Sequence, residues 1–87
     1  MKVYVSPYAA KKYRKLVKTD PKLRNTLDKK LKLVSKNPNH PSLRLHKLSS
    51  RKLEEWSISV KGNLRMVFSY TKDGICITDI GSHDEVY

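Results

Sequence analysis

The chain of 87 residues carries 19 Lys and Arg against 8 Asp and Glu, a formal charge of +11 and a pI near 10.0. At 38% hydrophobic residues it has material for one modest core, so residues 1–87 are read as a single domain. Its one cysteine, Cys76, excludes an internal disulfide, Met1 to Lys12 lacks the apolar run of a signal peptide, and no stretch nears the length of a membrane span. The expectation is a reduced protein of the cytoplasm, without a membrane partner.

Charge is unevenly placed. Up to Lys52 there are 16 basic and 2 acidic residues, and from Leu53 onward 3 basic and 6 acidic. A front half so basic suits a polyanion or an acidic protein as partner.

Lys2-Val-Tyr-Val5 is short and β-branched and reads as a first strand. Ser6-Pro7 is a helix start, a hydroxyl cap followed by proline at the first helical position. Ala9, Tyr13, Leu16 and Val17 then fall on one stripe, with Lys11, Lys12, Arg14, Lys15 and Lys18 around the remaining faces. Asp20-Pro21 repeats the cap-and-proline signal, and Leu23, Leu27, Leu31 and Val34 make a second stripe. Asn37-Pro38 ends that helix, because the residue before proline resists helical geometry.

Leu43-Arg-Leu-His-Lys-Leu48 alternates apolar and basic residues. As a strand it sends Leu43 and Leu45 inward and puts Arg44 and His46 on one side. His40, between two prolines, reads as a loop residue. Ser49 to Lys52 reads as a polar connection. Trp56, Ile58 and Val60 alternate with serines; Lys61-Gly-Asn63 is a turn. Leu64 to Tyr70 alternates again, Asp73-Gly74 is a hairpin signal, and Ile75 to Ile80 is an apolar strand suited to the sheet interior. The predicted fold class is α+β: an N-terminal strand, a two-helix hairpin, then an antiparallel sheet of three to four strands with the helices on one face. The other face is free to display Arg65 and, beyond the last strand, His83.

The ending Asp79-Ile-Gly-Ser-His-Asp-Glu-Val-Tyr87 sets out an imidazole and, four residues on, a tyrosine. The first can move protons near neutral pH, the second can stack on a base or donate a hydrogen bond. The plainer reading is that both merely cover a core edge.

The order of strand, two basic helices, "LRLHKL", "WSISVKGNLRMVFSY" and "DIGSHDEVY" resembles the RelE/ParE superfamily of toxins from bacterial toxin–antitoxin pairs, most closely the RelE and YafQ branch. The resemblance implies a metal-independent, cofactor-free endoribonuclease that cuts mRNA in the ribosomal A site and is neutralised by a small, acidic antitoxin encoded beside it. His83 and Tyr87 match the closing G-x-H-x-x-x-[YF] pattern, His46 the histidine before the first sheet hairpin, and Arg65 the arginine on the scissile phosphate. The YafQ-like histidine and Asp-Trp pair have no counterpart around Val60 to Arg65, and His83 replaces the RelE-like C-terminal arginine, so the site is mixed. The implied RNA and ribosome surface is Lys11, Lys12, Lys15 and Lys18 with Arg44 and Lys47.

Metal-free cleavage of RNA needs a base for the 2′-hydroxyl, a cation for the pentavalent phosphate and an acid for the 5′-oxygen, roles that His83, Arg65 and His46 can fill. For Arg65 the competing reading is a salt bridge to Glu54 or Glu55; for His46, a strand residue facing solvent. Two other functions stay open: a ParE-like protein that poisons DNA gyrase, and a basic domain that only holds RNA or the ribosome. The chain shows no metal-ligand cluster, nucleotide-binding glycine loop or serine triad.

Overall fold

The computed structural model describes residues 1–48 and 54–87. The connection read at Ser49–Lys52 lies outside the described residues. In chain order come β1 (Lys2–Val5), α1 (Pro7–Thr19), α2 (Leu23–Lys36), a 3-10 turn (Pro41–Leu43), β2 (His46–Leu48), β3 (Glu55–Lys61), β4 (Leu64–Tyr70), β5 (Gly74–Ser82) and α3 (His83–Val86). The fold is α+β, as the patterning predicts.

The first helix starts as its cap requires. The Ser6 hydroxyl accepts the Ala9 N–H at 3.1 Å, and Pro7 takes the first helical position, where no N–H is needed. The second begins at Leu23, later than the Asp20-Pro21 signal suggests. Asp20 is already committed: its N–H closes α1 on the Leu16 carbonyl at 2.8 Å, and its carboxylate accepts the Lys22 N–H at 3.2 Å. It shapes the turn between the helices and cannot also cap α2. That helix stops at Lys36, just ahead of Asn37-Pro38.

The sheet has five strands in the order β1-β5-β4-β3-β2. The meander β2–β5 is antiparallel, while β1 adds parallel to β5, with Lys2 opposite Gly74 and Val5 opposite Ile77. The sequence expectation of three to four strands counted the hairpins and left β1 unattached. A parallel partner has no turn to announce it. Gly74 is needed for that pairing. A Cβ there would sit 1.8 Å from the Lys2 carbonyl oxygen, so any side chain would push the strands apart. The Asp73-Gly74 pair therefore marks strand contact as well as the turn, which closes through the Thr71 N–H on the Gly74 carbonyl at 2.8 Å.

Alternation along the strands sorts the two faces. Ile58, Val60, Met66, Phe68, Ile75, Ile77 and Ile80 pack beneath Ala9, Leu27 and Val34 of the helices, with Leu43 of the 3-10 turn. A register shift where Val67 and Phe68 meet Asp79 and Ile77 leaves Thr78 as an extra residue, which lets Ile77 and Ile80, three apart, share the helix face. The opposite face carries Ser57, Arg65 and a second cluster of Leu48, Val67 and Val86. Cys76 is half-buried and free. Among the described residues no helix is long and apolar enough to cross a membrane.

Candidate functional site

The site is assembled on the sheet face away from the helices. In β2, His46 lies opposite Ser57 of β3, so the two share a face; in β4, Arg65 lies opposite Ser59 on that same face. The strand reading at Leu43–Leu48 needs correcting at its start. The 3-10 turn runs to Leu43, and Arg44 sits at φ 49°, so β2 begins only at His46. Arg44 therefore does not align with His46 by strand period. It contributes its carbonyl instead.

The last turn of the chain folds back over this face. A four-residue helix cannot repay its own nucleation, so α3 depends on its surroundings. Ser82 caps it reciprocally: its hydroxyl accepts the Glu85 N–H at 3.3 Å, and its N–H donates to the Glu85 carboxylate at 2.8 Å. The His83 N–H bonds the Asn63 carbonyl at 2.8 Å, tying α3 to the β3–β4 turn. Val86 is buried against Leu48 and Val67, a contact worth about 1.5–3 kcal/mol. The hydrogen bonds from Ser82 and the nearby Lys12 ammonium hold the Glu85 carboxyl below the ordinary range.

Tyr87 is the centre of the result. Its ring meets His83 edge-on at 4.1 Å between centroids and His46 edge-on at 5.5 Å. The Arg65 guanidinium carbon lies 5.6 Å from the ring centroid. Its hydroxyl is hydrogen-bonded to Ser57, which is fully buried. The same serine oxygen accepts Arg65 Nε at 3.0 Å, while Nη2 donates to the Arg44 carbonyl at 2.9 Å and to the Ser57 carbonyl at 3.3 Å. Arg65 is thus held by backbone and serine; Glu54 ion-pairs with Lys47 at 3.4 Å, and Glu55 accepts from Thr78. None of these three contacts to the guanidinium comes from a carboxylate. His83 stays open to solvent, its Nδ1 3.7 Å from an Asp84 carboxylate oxygen.

Of the four residues singled out in the sequence, His46, Arg65 and His83 therefore each lie between 4.1 and 5.6 Å from the ring of the fourth, Tyr87. The cationic residues do not all join them. Lys47 is turned to the other side of the sheet, its ammonium 5.6 Å from the Trp56 ring. Lys11, Lys15 and Lys18 are exposed on α1. Lys12, expected among the solvated lysines, is half-buried and bonds Asp79 at 2.7 Å. Burial works against its charged form, and the Asp79 carboxylate more than offsets this, so its pKa is raised. His40 is a turn residue whose Nδ1 accepts the Ser42 N–H at 3.2 Å. Sequence reasoning missed Ser57. Its only signal was a serine alternating with Trp56, Ile58 and Val60, which does not distinguish a solvated strand face from a buried anchor. Among the described residues, no three of His, Cys, Asp or Glu gather as metal ligands.

No protein-family model matches the sequence, and no curated protein does. The structure is more informative. It is similar to the YoeB dimer from Staphylococcus aureus, with a TM-score of 0.79, 21% identity and coverage of 95% of this chain and 97% of that one. A YoeB/ParE toxin from Agrobacterium tumefaciens superposes at 0.81, with 14% identity and coverage of 95% and 99%. The YoeB–YefM complex from S. aureus superposes at 0.77, with 20% identity over 95% and 97%. The chain has the fold of these YoeB and YoeB/ParE structures, and the likeness spans nearly its whole length.

Proposed function

We propose that this protein is the toxin of a type II toxin–antitoxin pair and that it cuts mRNA on the ribosome without a metal ion. The observation that carries the reading is the convergence of His46, His83 and Arg65 on the Tyr87 ring. These are two proton carriers and one fixed cation around a half-exposed aromatic face.

The chemistry balances with these groups alone. One imidazole takes the proton of the 2′-hydroxyl; the 2′-oxygen forms a bond to phosphorus, and the P–O5′ bond breaks. The second imidazole, entering as imidazolium, gives its proton to the departing 5′-oxygen. The products are a 2′,3′-cyclic phosphate and a 5′-hydroxyl. Arg65, held by three hydrogen bonds, meets the charge that builds on the phosphate without reorganising. Tyr87 stacks the base beside the scissile bond, and Ser57 fixes the ring. The exposed basic residues of α1 and α2, with Arg44, face RNA phosphates of the ribosome and of the mRNA it holds.

The neutralising partner is an acidic antitoxin covering the basic surface and the site, and the setting is the cytoplasm. Supporting this is the likeness to a YoeB chain solved in complex with YefM. The test is a reconstituted translation reaction with mapping of mRNA 5′ ends. Wild-type protein should cut within ribosome-bound mRNA, and folded His83→Gln should bind ribosomes and leave mRNA intact. Cutting by His83→Gln at the parental rate would sink the enzymatic reading in favour of a gyrase poison or a passive binder.

A further inference from the structure

A concavity borders α3 at Glu85, two residues before Tyr87. It encloses about 530 Å³ between α1 and the ends of β4 and β5, within the roughly 300–1,000 Å³ of pockets that hold small ligands. Its floor is apolar, from Leu16, Leu64 and Ile80, and its walls are Tyr8, Lys11 and Lys15 on one side and Glu85 on the other. Gly81 keeps it open next to α3: a Cβ there would press to 3.2 Å from the Lys12 ammonium and 3.3 Å from Glu85.

The groups in this groove are not equivalent. Lys12 is spent on Asp79 at 2.7 Å. Lys11 and Lys15, four residues apart, stand together on one exposed helix face. Tyr8 is 61% exposed, the most exposed large apolar side chain described, and core packing gives it no role. The Lys12 ammonium approaches its ring to 5.4 Å, which leaves a face of the ring for a ligand. The Glu85 carboxylate, ionised through its Ser82 bonds, repels phosphate and accepts N–H groups.

We infer that this groove is a nucleotide subsite, taking one ribonucleotide with its base on Tyr8 and its flanking phosphates on Lys11 and Lys15. Glu85 sets the direction, because it turns the phosphates away and favours a base edge that carries an amino group. The nucleotide belongs to the RNA strand being cut, an assignment that rests on the function proposed above. A four-residue helix is only about 6 Å long, so a strand leaving Tyr87 reaches the groove within a few nucleotides. A flat aromatic ring over an apolar floor, beside two paired cations, is what single-stranded nucleic acid recognition uses; an acidic peptide would need the cations alone.

Adenosine 3′,5′-bisphosphate and ribose 3,5-bisphosphate, titrated calorimetrically into the full chain, test the subsite without requiring cleavage. The nucleotide should bind more tightly than the base-free sugar, and Tyr8→Ala should weaken it about 5- to 150-fold while leaving the sugar unaffected. Tyr8→Phe should bind like wild type, and Lys11→Gln with Lys15→Gln should weaken both ligands. Equal binding of the two ligands, or indifference to Tyr8→Ala, overturns the subsite. So does a Tyr8→Ala protein that binds nucleotide normally but loses its acidic partner, which would make the groove a protein-docking site. The second arm replaces single nucleotides near the cut by abasic ones in ribosome-bound mRNA. One position should slow cleavage by wild type and have no further effect in Tyr8→Ala. Sensitivity at no position, with nucleotide binding intact, refutes the substrate strand as occupant and points to ribosomal RNA. Absence of all cleavage by wild type would instead refute the proposed function, leaving the calorimetric result standing.

Discussion

Ser57 is the residue through which Arg65 and Tyr87 are coupled, so a double-mutant cycle at Ser57 and Tyr87 probes the site's construction directly. Ser57→Ala removes two interactions at once: the bond to the Tyr87 hydroxyl and the acceptor for Arg65 Nε at 3.0 Å. Tyr87→Phe removes only the first. A neutral hydrogen bond contributes about 0.5–1.5 kcal/mol and one to a charged group about 1.5–3 kcal/mol. Arg65 and Tyr87 are both partly solvated, so the lower ends apply. Tyr87→Phe should then cost about 0.5–1 kcal/mol and Ser57→Ala about 2 kcal/mol. The double variant should resemble Ser57→Ala, giving a coupling of about 0.5–1 kcal/mol. For a domain of this size 1 kcal/mol moves Tm by about 4–8 °C, so urea and thermal unfolding both resolve the difference. In the cleavage assay Ser57→Ala should be slower than Tyr87→Phe, because it frees the guanidinium as well as the ring. Strict additivity in stability, within about 0.3 kcal/mol, would show that Ser57 does not link the two side chains and would remove it from the site.

Other outcomes follow from the same geometry. Loss of either imidazole, as His83→Gln or His46→Gln, should lower the cleavage rate about 10²–10⁴-fold with unchanged ribosome binding; a drop in affinity alone would argue against proton transfer. Arg65→Lys keeps the charge but cannot reproduce the forked bonds to Ser57 and Arg44, so single-turnover cleavage should be partial at best. Charge reversal of Lys11, Lys15 and Lys18 to Glu should weaken ribosome co-sedimentation in a salt-dependent manner and leave the circular dichroism spectrum unchanged. Glu85 has its folded pKa depressed, so the stability it lends α3 is complete above its ordinary value of 4.5 and is lost as the pH falls through the lower folded value. NMR signals of His83 and Tyr87 should broaden or shift in that acid window before those of β3 to β5, and simultaneous loss of all of them would contradict a separately held α3. Co-expression with the neighbouring reading frame should yield a co-purifying complex and restore growth.

Much of this protein is local and therefore legible in the chain. Ser6-Pro7 and Asn37-Pro38 bound helices by cap and proline chemistry that involves only a few adjacent residues. Alternation from Trp56 to Val60 and from Leu64 to Tyr70 assigns faces because strand side chains repeat every two residues. His46, Arg65, His83 and Tyr87 could be singled out because imidazole, guanidinium and phenol are chemically distinctive. The closing pattern of residues also resembled a known toxin family.

What the sequence could not supply depends on pairing between distant segments. The parallel seat of β1 beside β5, and hence the need for Gly74, joins residues some seventy positions apart with no turn between them. Lys12 looks like its exposed neighbours until β5 brings Asp79 beneath it. Arg65 and Ser57 meet by strand register, and Tyr87 reaches Ser57 only because a capping box and the burial of Val86 fold the last turn back across the sheet. Helix caps, alternation and side-chain chemistry are properties of neighbours along the chain. Which groups share an ion pair, an anchor or a groove is decided by the tertiary fold, since only packing brings those atoms within bonding distance.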